Sequence, residues 1–91
     1  MNEDEKREAL KQLLTYNKKL LYVFENHPQT FYTFVEDYFI YVSTVNEDFE
    51  SKLTNLKVKL KSILSFEATH EQIRRIALEA KSLLEGMQNA L

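Results

Sequence analysis

The chain has no cysteine and no tryptophan, and only one glycine and one proline in 91 residues. Without cysteine there is no disulfide and no thiolate metal site, so the fold must be held by packing. The absence of thiols also fits a reducing compartment. Scarce glycine and proline argue against sheets and barrels, whose many turns draw on those residues. Long uncharged runs are missing too. The longest in the aromatic zone, Tyr38 to Asn46, is about half a membrane span. Positive charge is not in excess: 12 Lys and Arg stand against 14 Asp and Glu, a net charge of −2. That balance argues against nucleic-acid binding, which needs a basic surface. The opening Met1-Asn2-Glu3-Asp4-Glu5 is too acidic for a secretory signal. The expectation is a cytoplasmic protein with no nucleic-acid partner and no membrane insertion.

What is present is apolar residue at helical spacing. At 44% of the chain, it is enough for one modest core, and residues 1–91 are expected to form a single helical-bundle domain. The first helix is expected over Asn2 to Asn26, with Asn2 and Glu5 at capping-box spacing. Acids crowd its first turns and complement the helix dipole. Asn26-His27-Pro28 ends it, because a residue before proline is pushed out of the α region. Pro28 is expected as the first residue of the second helix.

The third segment runs from about Val45 to Ser65. Thr44 and Glu47 have capping-box spacing, and acids there precede lysines, the order a separate helix favours. No helix breaker lies between Pro28 and Ser65, however. Val35, Val42, Phe49, Leu56 and Ile63 keep one seven-residue spacing throughout. The expectation is a turn or sharp bend near Ser43–Asn46, with a continuous helix over residues 28–65 as the alternative. The fourth helix follows Thr69, whose spacing to Gln72 is a clear capping box. Gly86 is expected to cap its end.

The fold class is therefore all-α: an antiparallel four-helix bundle, or three helices if residues 28–65 are continuous. The expected core is Leu10, Leu13, Leu20, Phe24, Phe31, Val35, Tyr38, Val42, Phe49, Leu53, Leu56, Leu60, Ile63, Ile73, Ile76, Ala80, Leu83 and Leu84. Asn17 falls on the apolar stripe of the first helix. It either meets water at the bundle edge or fixes register from within the core, where a tyrosine hydroxyl would satisfy it.

Chemistry-bearing constellations are sparse. A single glycine excludes phosphate-cradling loops and a G-x-S-x-G elbow. His70-Glu71 lacks the second histidine of a zinc-protease helix. His27 and His70 sit at helix boundaries, where polar residues are ordinary. No catalytic residue, metal site or cofactor is expected, and the chain reads as a non-enzyme.

The unusual features lie in the second and third segments. Residues 27–50 hold five acids and no Lys or Arg, and residues 51–66 hold four lysines and no acid. Lys52 and Lys59 fall on one flank of the third stripe and Lys57 and Lys61 on the other, as lysines do when their stems cover a core. Six of the chain's aromatics lie between Phe31 and Tyr41. The apolar arc of the second helix spans about 180°, wider than the roughly 100° a surface helix needs. Ile40 stands outside it, among Thr33, Glu36, Asp37, Ser43 and Thr44. Val58 is similarly off-stripe.

An apolar residue ringed by acids, beside surplus aromatics, has the composition of a small hot spot. The expected partner-binding residues are Tyr32, Glu36, Asp37, Phe39, Ile40 and Tyr41. In size and helix count the chain is similar to small bacterial inhibitor, immunity and adaptor bundles, such as the bacteriocin immunity proteins. That likeness of architecture implies a module that acts by occupying another protein's surface. The alternative is a structural homo-oligomer or assembly component that meets a second copy of itself through the same face.

Overall fold

A computed structural model covers residues 1–91 and shows an all-α four-helix bundle. Helix α1 spans Glu3–Asn26, α2 Phe31–Val45, α3 Thr54–Ser65 and α4 His70–Asn89, with a 3-10 turn at Asn46–Phe49 between α2 and α3. Helix α1 packs on α4 and α2, and α2 packs on α3. The α3–α4 seam is the most open of the four.

Both outer helices start as their sequences dictate. At α1 the Asn2 side chain accepts from Glu5 N–H at 2.8 Å, and the Glu5 carboxylate accepts from Asn2 N–H at 3.0 Å. At α4 Thr69 Oγ1 accepts from Gln72 N–H at 3.2 Å, and Gln72 Oε1 accepts from Thr69 N–H at 2.9 Å. Each box satisfies two N–H groups that the helix itself leaves unpaired.

The chain departs from expectation at three places. Pro28 does not begin α2. Thr30 N–H donates to His27 C=O at 3.1 Å, which closes a turn over residues 28–30 and delays the helix to Phe31. The break after α2 falls at Asn46, within the expected Ser43–Asn46 window, but the Thr44–Glu47 box does not form. Thr44 lies within the helix, and its hydroxyl donates to the Ile40 carbonyl at 2.8 Å. Gly86 does not cap α4. It has no positive φ, and the helix runs three residues past it to Asn89.

The α2–α3 connection excludes the continuous helix. After the 3-10 turn, Glu50 and Ser51 adopt left-handed φ values of 55° and 60°. Asn46 holds the turn together from inside. Its Oδ1 accepts from Leu53 N–H at 2.9 Å, and its Nδ2 donates to Thr54 Oγ1 at 3.0 Å. The seven-residue spacing survives because Phe49 and Leu53 still point into the core from the turn.

One cluster of 17 buried apolar residues joins all four helices. Ala9 and Val45 belong to it, and Phe24, Ile76 and Leu83 lie at its edge instead of inside. Asn17 is buried with 5% of its surface exposed, so the water-edge reading does not hold. The Tyr38 hydroxyl donates to its Oδ1 at 3.1 Å, and its Nδ2 donates to the Ala77 carbonyl at 2.8 Å. One side chain thus ties α1 to both α2 and α4. Burial raises the Tyr38 phenol far above the ordinary tyrosine range, since an ionised ring there would lose its hydration.

Candidate interaction surface

Helix α2 turns Phe31, Val35, Tyr38, Val42 and Val45 inward. The opposite face is centred on Ile40, which is 53% exposed. On that face Tyr32 is 47% exposed and Glu36 and Asp37 are open to solvent. Neither carboxylate is within ion-pair distance of a Lys, Arg or His, because the chain's ion pairs all lie elsewhere.

The six expected residues do not share one surface. Phe39 and Tyr41 are half-buried on opposite flanks of α2. Phe39 faces α3, where the Nζ atoms of Lys57 and Lys61 lie 6.0 and 5.6 Å from its ring centroid. That spacing is within the reach of cation–π attraction. Tyr41 faces α1, with its ring 5.9 Å from that of Tyr16. Burial raises the Tyr41 phenol, and Tyr16 and Glu8 beside it raise it further. Tyr41 is therefore part of the α1–α2 seam, while Tyr32, Glu36, Asp37 and Ile40 remain accessible.

Helix α3 adds what the sequence reading placed elsewhere. Phe39 meets both Lys57 and Lys61, so its level on α2 matches the middle of that pair on α3. Val58, beside Lys57 on α3, is 59% exposed. Acids stand on the α2 side and lysines on the α3 side. Val58 lies off the α3 stripe, which is the signal for it.

The rest of the surface offers less. A groove of about 300 Å3 between α3 and α4 has Ile63, Ile76, Ala68 and Phe66 in its walls. The Lys59–Glu79 ion pair belongs to both this groove and a smaller one of about 160 Å3 beside it. Cations and carboxylates mix in its lining, so no ligand charge is favoured. No three His, Cys, Asp or Glu side chains converge on a point. His70 Nε2 lies 3.6 Å from Glu25, and the His27 ring packs 5.7 Å from Tyr22. No Ser or Thr hydroxyl bonds a histidine ring; Thr30 donates to the His27 main-chain carbonyl at 3.3 Å, and Ser43, Thr44 and Ser65 each donate to the carbonyl four residues earlier. No helix is long and apolar enough to cross a membrane.

No protein-family model, curated protein or solved structure matches this chain.

Proposed function

We propose that this chain is a non-catalytic protein-binding module, of the inhibitor, immunity or adaptor kind, that acts by covering a partner with the outer face of α2. The observation that supports this is the exposure of Ile40 and Tyr32 beside two unpaired carboxylates, Glu36 and Asp37. A lone exposed isoleucine is ordinary. An exposed isoleucine and tyrosine on one helix face, with charges left free at the rim, match the apolar centre and polar edge of an interface. The adjoining residues do not need this face for folding, since the α2 core lies on the opposite side.

The test is capture by immobilised protein, with wild type compared against the Tyr32→Ala, Ile40→Asp double variant. Both side chains are exposed, so the thermal melt is expected to stay within about 0.5 kcal/mol of wild type. Specific capture is expected to disappear. Leu78→Asp, on the exposed face of α4, is expected to capture normally. Equal capture by all three proteins would reject the α2 face. Tyr41 is unsuited to this test, because its contact with Tyr16 links α2 to α1.

A further inference from the structure

The buried apolar residues from Phe31 to Ile63 follow one another at steps of three or four without exception, through the α2–α3 connection as well as within the helices. On a straight α-helix at about 100° per residue, all of them fall within an arc of about 80°. That arc is as narrow as the stripe of a single surface helix. The stripe spans all of α2 and nearly all of α3, and no glycine or proline lies between Pro28 and Gly86.

The connection interrupts this stripe against local preference. Glu50 and Ser51 hold left-handed φ values of 55° and 60°, a region that a side chain with a Cβ disfavours. Helix α3 has no side-chain cap hydrogen bond of its own. What fastens the turn is Asn46, through Leu53 N–H and the Thr54 hydroxyl. In a continuous helix the Leu53 N–H would bond the Phe49 carbonyl instead. The left-handed pair would relax, and Asp48 and Lys52 would stand four apart in the favourable order.

One molecule alone has no room for that helix. Residues 31–65 would extend about 52 Å, and the longest dimension of the molecule is 36 Å. Helix α3 would have to leave α2 and carry α4 with it.

We infer that the α2–α3 connection is a latched hinge. With Asn46 released, α2 and α3 join as one helix, and the chain exchanges α3 and α4 with a second copy of itself. The exchange rebuilds the contacts of the closed molecule, with α3 on the other copy's α2 and α4 on its α1, so the same core is buried. Phe39 lies against Lys57 and Lys61, and Phe49 is midway in sequence between Phe39 and that pair. Two antiparallel long helices that keep this pairing cross at Phe49, so their new contact is apolar. The outer face of α2 stays open in the exchange, which therefore goes beyond the binding reading and does not depend on it.

Exchange requires α3 and α4 to detach from α1 and α2. The protein is therefore held at high concentration near its melting midpoint, cooled, and weighed by light scattering on a size-exclusion column. Asn46→Ala removes the latch from the closed form alone. It is expected to raise the dimer association constant at least about ten-fold over wild type. Adding Glu50→Gly and Ser51→Gly to that variant is expected to reverse the gain, because glycine suits the left-handed turn and weakens a helix. Circular dichroism melts check that each variant folds.

The chain has no cysteine, so Thr33→Cys with Ser65→Cys, both exposed, takes two spin labels cleanly. In dimers diluted with unlabelled chain, the two labels of one chain are expected about 48 Å apart along the continuous helix. In the closed hairpin both sit at the same end. Asn46→Ala with no more dimer than wild type would overturn the latched hinge. Dimers indifferent to the added glycines, or dimers whose labels keep the short spacing of the monomer, would overturn it as well, since they would form without the exchange.

Discussion

The protein buries two asparagines, and they serve opposite ends of the folding problem. Asn17 sits in the waist of the bundle and joins residues 21 and 60 positions away, Tyr38 and Ala77. Asn46 sits in the α2–α3 connection and joins residues 7 and 8 positions away, Leu53 and Thr54. The first fixes which helices face each other. The second fixes where one helix stops and the next begins. In the waist the polar group restricts alternative packings that an all-leucine stripe would allow. At the connection it does the work usually given to glycine or proline. A carboxamide supplies both a donor and an acceptor, and each asparagine uses both.

Breaking the waist should have the largest effect. Asn17→Ala leaves the buried Tyr38 hydroxyl unpartnered and opens a small cavity, at an expected cost of about 2–3 kcal/mol by chemical denaturation. Adding Tyr38→Phe should cost less than the sum of the two single changes, with a coupling of about 1 kcal/mol or more. Strict additivity would show that the two side chains do not share a bond.

The same tyrosine gives the waist a pH signature. Its folded-state pKa is raised above the ordinary value of 10.0 by burial. The fold therefore keeps this contribution below pH 10 and loses it as pH climbs toward the folded-state value. Unfolding free energy measured across that alkaline limb should fall less steeply in Tyr38→Phe than in wild type. Tyr41 is raised in the same direction, so part of the slope should persist.

At the connection the effects should be smaller and local. Asn46→Ala strands the buried Leu53 N–H and is expected to cost about 1–2 kcal/mol. Hydrogen exchange should quicken around residues 49–54 while the amides of the waist stay protected. Uniform quickening would mean that Asn46 supports the whole bundle. The smallest effect is expected at Glu50, whose φ of 55° favours glycine. Glu50→Gly should gain about 0.5 kcal/mol, as relief of the left-handed strain slightly exceeds the added freedom of the unfolded chain. A loss of stability would show that the Glu50 side chain has a role of its own.

This contrast also explains what the sequence revealed. Asn17 was legible as a member of the apolar stripe, seven residues from Leu10 and Phe24, but that spacing also allowed a wet bundle edge, and only Tyr38 and Ala77 decide for burial. The capping boxes at Asn2 and Thr69 were legible because both partners lie within four residues. The α2–α3 break was legible near Ser43–Asn46, but the part that Asn46 plays in it was not. Thr44 and Glu47 offered a better local capping pattern, and only the packing of Phe49 and Leu53 decides against it. Gly86 misled for the same reason. A glycine three residues from a helix end is a local signal, and it is overridden when the chain gains by completing another turn.

The candidate surface divides along the same line. Ile40, Tyr32, Glu36 and Asp37 were identifiable from the helical wheel of α2 alone. Phe39 and Tyr41 were placed on that surface because a wheel shows edges without showing which neighbours cover them. Helix α3 covers one with Lys57 and Lys61, and Tyr16 of α1 covers the other.

The central claim is that the outer face of α2 is a binding surface and that the core is independent of it. Capture by the Tyr32→Ala, Ile40→Asp variant, set beside its thermal melt, tests both parts at once. Loss of specific capture with a melt within about 0.5 kcal/mol of wild type is the predicted result. Capture equal to wild type, or a melt that collapses with the two exposed side chains, would contradict it.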